Sequence, residues 1–185
     1  MEFLIPYKDE RIEGAIAFFA AKHKGKLSQT ALYKYLAFFD FRSLEESGEP
    51  ALGLTYIAME HGPVPKEIYI EGKYRESKYY KFEKGEENSI IIIPVSKNMG
   101  YTEYFSKYDI NLMNNLIEIF KKMPANVMSK ASHEKEKGIK AWTKTKLGSV
   151  INMADTFDNL EEKYYNNKAT TAEEHFFICQ KLYGN

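Results

Sequence analysis

The chain lacks most features that mark secreted or membrane proteins. Its 185 residues include one cysteine, Cys179, which excludes an internal disulfide framework and fits a reducing compartment. No run of about 18 apolar residues is present, so no membrane span is expected. The N-terminal segment has no basic region followed by an apolar stretch, so we expect no signal peptide and predict a cytoplasmic location.

Signatures of catalysis and of ligand binding are also missing. No glycine-rich phosphate loop is present, which argues against nucleotide hydrolysis. His133 and Glu134 begin like a zinc-binding HExxH motif, but position 137 is lysine, so the second histidine is absent. The four histidines show no metal-ligand spacing. Cys179 lies on a predicted apolar helix and is expected in the protein core. We therefore predict no enzyme, no metal and no cofactor. A hydrolase that uses His133 or Asp40 is a less favoured alternative.

Net charge is zero, with 26 basic and 26 acidic residues, so no global attraction for nucleic acid or membranes is expected. One stretch, residues 121–146, is locally basic. Its lysines could form a surface for an acidic partner or DNA, or simply a solvated face, and we favour the solvated face. Arginine, the usual device for base-specific readout, is absent from this stretch. The lysines are Lys121, Lys122, Lys130, Lys135, Lys137, Lys140, Lys144 and Lys146.

Aromatic residues are abundant, with 14 tyrosines and 12 phenylalanines. Six of them fall on a predicted hairpin strand and the loop that follows it. They either form a partner surface with buried aromatic anchors or cover the helical core. These candidate partner residues are Tyr79, Tyr80, Phe82, Tyr101, Tyr104 and Phe105.

Apolar periodicity predicts most of the secondary structure. A first helix is expected over 8–24, and Ser28 is expected to cap a second helix that ends near Gly48. Residues 52–60 are predicted as a short helix, because strict alternation fits them less well. Gly62-Pro63 ends that element, and Pro65 is expected to begin another helical turn.

The second half of the chain changes period and then returns to helices. Residues 78–95 predict a β-hairpin around a Gly-Glu-Glu-Asn turn. Asp109 is expected to cap the next helix, which ends before Pro124. Shorter helices follow over 125–135 and 160–165, and Thr171 with Glu174 resembles a capping box before the last helix. The fold class is therefore α+β: a predominantly helical single domain, 1–185, with a small antiparallel hairpin or sheet in the 72–108 segment between two helical parts.

The stretch from Leu32 to Tyr69 resembles the Panacea domain, the SocA-like antitoxin family, which is associated with phages. The resemblance rests on the helix segment YKYLAFFDF, a Gly-x-Pro turn, a tyrosine ahead of Gly-Pro-Val-Pro, and a later Ser-His with a tryptophan. It covers about 10–145, and 146–185 is a C-terminal helical extension. The matching residues, read as mainly structural, are Lys34, Tyr35, Leu36, Phe38, Asp40, Tyr56, Gly62, Pro63, Val64, Pro65, Ser132, His133 and Trp142.

The resemblance implies an antitoxin that neutralises a cognate protein toxin by direct binding. Two alternatives are an adaptor that delivers the toxin to a cytoplasmic protease and a DNA-binding regulator that uses the 121–146 segment. Asp40 has two interpretations: a polar contact that orients a binding surface or the Gly-Pro-Val-Pro corner, or a carboxylate that reaches solvent or a basic side chain such as Lys34 or Arg42. We slightly favour the second. We expect the toxin-facing surface in 72–108 or in the lysine-rich segment.

Overall fold

A computed structural model describes residues 3–95, 99–132 and 138–183. It is α+β and mainly helical, as predicted, with small antiparallel sheets. The helices are α1 (Lys8–Lys22), α2 (Gln29–Ser47), α3 (Lys66–Tyr69), α4 (Lys107–Phe120), α5 (Ala125–Ser132), α6 (Lys140–Lys144), α7 (Leu160–Tyr165) and α8 (Thr171–Tyr183). The strands are β1 (Leu27–Ser28), β2 (Tyr56–Met59), β3 (Gly62–Pro65), β4 (Tyr80–Lys84) and β5 (Ile90–Pro94).

Helix α2 is the centre of the fold, because every residue from Ala31 to Phe41 is buried. Ser28 caps it by accepting a hydrogen bond from the Ala31 amide, and Gly48 ends it with a left-handed φ of 83°, both as predicted. Around it pack α1, α4, α5 and α8. Helix α2 therefore lacks the polar, solvent-exposed face of a typical surface helix, as its broad apolar sequence predicts.

The predicted hairpin over 78–95 is confirmed and belongs to a three-stranded antiparallel sheet. Strand β5 lies in the middle, with β4 on one side and the two-residue β1 on the other. Strand β1 immediately precedes α2, so the sheet is joined directly to the start of the central helix. Ile92 faces the core between these partners and is 2% exposed.

The helix predicted over 52–60 is wrong, because these residues contribute β2 to a two-stranded hairpin. Strand β2 pairs antiparallel with β3, which contains the Gly-Pro-Val-Pro corner. Burial alternates along β2, with Tyr56 and Ala58 buried and Met59 exposed. The other edge of β2 pairs with backbone from the C-terminal part: the Ala58 amide donates to the Ser149 carbonyl oxygen over 2.9 Å. Long-range backbone partners therefore decide this element.

Two predicted helix caps are displaced along the chain. Ser106, not Asp109, caps α4; its hydroxyl accepts from the Asp109 amide, and the Asp109 carboxylate accepts from the Ser106 amide. The capping box before α8 is formed by Thr170 and Glu173, one residue earlier than predicted. The new turn after Pro65 is confirmed as α3, although α1 ends at Lys22 rather than near residue 24.

Candidate functional site

The first arrangement is built on Asp40, which is fully buried near the middle of α2. One carboxylate oxygen accepts from the amides of Leu52 (2.5 Å) and Gly53 (3.1 Å). The other accepts from the Leu54 amide (3.2 Å) and the Tyr56 hydroxyl (2.9 Å). Asp40 therefore does not reach solvent, and the reading in which it does is wrong. It holds the loop that leads into β2.

Burial and hydrogen bonding act in opposite directions on this carboxyl group. Desolvation raises the pKa of Asp40 to about 6, against four hydrogen bonds that each lower it. Burial, together with the neighbouring Asp40 charge, also raises the pKa of Tyr56 well above its ordinary value. All four partners donate hydrogen bonds to Asp40, which is the arrangement expected of an ionised carboxylate beside a neutral phenol.

The second arrangement joins α2 to the turn between β2 and β3. Lys34 is 1% exposed, and its ammonium donates a hydrogen bond to the carbonyl oxygen of His61. Gly62 follows with a φ of 105°, and a Cβ atom there would lie 2.7 Å from the Ser132 hydroxyl and closer still to the Lys34 ammonium. Burial lowers the pKa of Lys34 to about 8. Glycine is thus required both by the backbone conformation and by the two polar side chains beside it.

Trp142 supports the same hairpin from the α6 side. Its indole nitrogen donates to the Met59 carbonyl oxygen over 3.2 Å, at the end of β2. His133, the other motif residue of this C-terminal part, lies outside the described residues. The other described motif residues, Tyr35, Leu36, Phe38, Pro63 and Pro65, are buried, and Val64 is half-buried. Motif residues of two helices, α2 and α6, thus hold the β2–β3 hairpin.

A groove of about 660 Å³ lies beside the loop that Asp40 holds. Segment 150–154 and α8 form its other walls. Its two charged side chains are already engaged with backbone: Lys8 donates to the Gly53 carbonyl oxygen, and Glu67 accepts from the Thr55 amide. The groove therefore offers no obvious convergent charge for a small ligand.

The six predicted partner residues differ in how far the structure buries them. Tyr80 and Tyr101 are buried, and Tyr79, Phe82 and Phe105 are half-buried. Only Tyr104 is exposed, at 37%, and its ring lies 5.2 Å from that of Tyr7, which is 65% exposed. The buried members cannot contact a partner directly. Tyr7 was missed because it precedes α1 and is far from the hairpin in sequence.

The lysine-rich segment is partly neutralised by one acid outside it. Asp158 accepts hydrogen bonds from both Lys140 and Lys144, and these two lysines lower its pKa to about 2. Lys121 pairs with Glu118 one turn earlier on α4. Lys135 and Lys137 lie outside the described residues. These pairings favour the solvated-face reading over a continuous basic surface.

A further cluster, at the contact between the end of α2 and α8, was not predicted from the sequence. Glu49, His175 and Cys179 each bring one potential ligand atom within 4.8 Å of the other two. Cys179 is half-buried rather than in the core as predicted. The spacing of His175 and Cys179, one helical turn apart, was the available signal, but their partner Glu49 is far away in sequence.

A family model for the antitoxin SocA-like, Panacea domain matches residues 32–138, which is more than half of the chain. The chain therefore belongs to this family of antitoxin-like proteins, as the resemblance predicted. No curated protein and no solved structure matches the chain. None of the helices in the described ranges is long and apolar enough to cross a membrane.

Proposed function

We propose that this chain is the non-enzymatic antitoxin of a toxin–antitoxin pair and neutralises a protein toxin by direct binding. The observation that carries the proposal is the family match over residues 32–138. The family implies a toxin partner, and its motif residues here stabilise the β2–β3 hairpin instead of lining an open pocket. Partner contact is therefore assigned to a different surface.

The surface that fits this role combines Tyr7, Lys78, Tyr79 and Tyr104, hereafter the tyrosine surface. The Lys78 ammonium lies 4.9 Å from the Tyr79 ring centre. The Tyr7 and Tyr104 rings lie 5.2 Å apart, so the surface contains two contacting pairs, Lys78 with Tyr79 and Tyr7 with Tyr104. Tyrosine offers a large contact area at low entropy cost, which suits a protein interface.

The tyrosine surface is supported from beneath by packed rings. Tyr79 makes an edge contact with buried Tyr101, with ring centres 5.6 Å apart. Phe105, next to Tyr104, packs 6.1 Å from Phe39 of α2 and lies under the guanidinium of Arg11. The packed rings thus hold the exposed rings in place, so little conformational entropy is lost when a partner binds.

Co-expression tests the proposal. The product of the adjacent gene is expressed alone and together with this chain, and growth and the amount of each protein are measured. We expect growth arrest by the adjacent product alone, rescue by this chain, and co-purification of the two at unchanged toxin level. Rescue with a strong fall in toxin level would indicate delivery to a protease. A harmless neighbour, or rescue without association, would contradict direct neutralisation.

A further inference from the structure

The end of α2 and one face of α8 form a cluster of three different metal-binding side chains. Glu49 lies in the turn just after Gly48, and His175 and Cys179 project from α8 one turn apart. Their ligand atoms, one carboxylate oxygen, one imidazole nitrogen and one sulfur, all lie within 4.8 Å of one another. The cluster is remote from the tyrosine surface in sequence and is independent of the proposed function.

Close packing fixes the two elements that carry the cluster. Gly48 has a φ of 83°, and a Cβ atom there would lie 2.5 Å from the Ala172 carbonyl oxygen and 3.0 Å from the His175 Cβ. Helix α8 therefore rests directly on the glycine that ends α2. A Cβ atom at position 48 could be accommodated only if the α8 backbone near Ala172 moved away.

The His175 ring is already oriented as a ligand. Its Nδ1 lies 2.8 Å from the Ser47 carbonyl oxygen, which can only accept, so Nδ1 carries a proton and donates it. The lone pair of the neutral ring is then on Nε2, which lies 3.5 Å from a Glu49 carboxylate oxygen. Metal-binding histidines commonly donate their second ring N–H to a backbone carbonyl in this way.

We propose that Glu49, His175 and Cys179 bind one Zn²⁺ ion, with water as the fourth ligand. Zinc takes sulfur, nitrogen and oxygen ligands in a tetrahedron with bonds of about 2.0–2.3 Å, which places ligand atoms roughly 3.3–3.6 Å apart. The Nε2–carboxylate distance already matches this spacing. The remaining adjustment falls on exposed side chains, since Glu49 and His175 are 52% and 45% exposed.

The thiol must lose its proton when the metal binds. A free cysteine thiol has an ordinary pKa of about 8.5, and the thiolate is the form that binds a metal. Binding breaks the S–H bond, forms the S–Zn bond and releases one proton to the buffer. Bound zinc then connects Glu49, just after the end of α2, to His175 and Cys179 on α8.

Zinc titration of the purified chain under a thiol-free reductant tests the site. We expect one Zn²⁺ per chain, a proton release visible as buffer-dependent binding heat, and a thiolate-to-metal absorption band when Co²⁺ replaces Zn²⁺. Cys179→Ser, His175→Gln and Glu49→Gln should each weaken zinc binding by at least about tenfold, since even residues that only orient a ligand contribute this much. Cys179→Ser should also abolish the Co²⁺ band.

His61→Gln provides the matched control, because its side chain is exposed and belongs to another part of the molecule. It should bind zinc like the wild type. Glu49→Gln alters only a solvent-exposed side chain, so loss of binding there cannot be assigned to unfolding, and melting in the presence of a chelator verifies this. No zinc binding, or binding that all three variants retain, would overturn the assignment.

Discussion

The carboxylate of Asp40 accepts a 2.9 Å hydrogen bond from the hydroxyl of Tyr56, across 16 residues of sequence and entirely within the core. Together with three backbone amides, this bond satisfies both carboxylate oxygens. A buried charge without such donors would be strongly unfavourable. The two motif residues therefore act as one structural unit that positions β2 on α2.

Replacing Asp40 should destabilise the protein more than replacing Tyr56. In Asp40→Asn the side-chain NH₂ faces at least one backbone N–H, so a hydrogen bond to a charged group is lost and a buried donor is left without an acceptor. Together these should lower the free energy of unfolding by about 3–5 kcal/mol. Tyr56→Phe removes one hydrogen bond to a charged group and should cost about 1.5–3 kcal/mol. Urea unfolding near pH 7.5 measures both. Because the residues share one network, the double variant should lose less than the sum, and strict additivity would contradict the account.

Gly62→Ala should destabilise the β2–β3 hairpin by more than backbone strain alone. Gly25 is the matched control: its φ of 97° is close to the 105° of Gly62, but a Cβ there meets no atom within 4 Å. We expect Gly25→Ala to cost about 1 kcal/mol and Gly62→Ala about 2–4 kcal/mol, because the new methyl overpacks against Lys34 and Ser132. Thermal melting compares them. Equal losses would show that the close approach is unimportant.

The buried ammonium of Lys34 should make stability rise with alkaline pH. Its folded pKa of about 8 lies below its ordinary value of 10.5, so the unfolded chain binds more protons between these values. Relative to Lys34→Met, the wild type should gain about 2 kcal/mol between pH 7 and pH 10. Comparing the two proteins removes the contribution of other titrating groups. A difference that stays constant with pH would place a charged partner beside Lys34.

The sequence predicts α2 well for two reasons. Burial on nearly all sides requires a long apolar sequence, and Ser28 and Gly48 mark the two ends of the helix. It fails at β2, where four alternating residues are too few to outweigh a helical reading and the pairing partners lie at 62–65 and 148–151. The same limit applies to function. Tyr7 and Tyr104 form one surface, and Glu49 meets His175, only through tertiary packing that no local pattern contains.

Binding of the adjacent gene product to variants of the tyrosine surface tests direct neutralisation most directly. The double variant Tyr7→Ala/Tyr104→Ala removes the two exposed rings, and Tyr69→Ala/Tyr165→Ala is matched, because those tyrosines are 47% and 68% exposed elsewhere. Calorimetric titration of each purified variant should show a loss of at least about 30-fold in affinity for the first and wild-type affinity for the second, as expected for two aromatic anchors of about 1 kcal/mol or more each. Wild-type affinity in the first variant, with its melting temperature unchanged, would contradict the account.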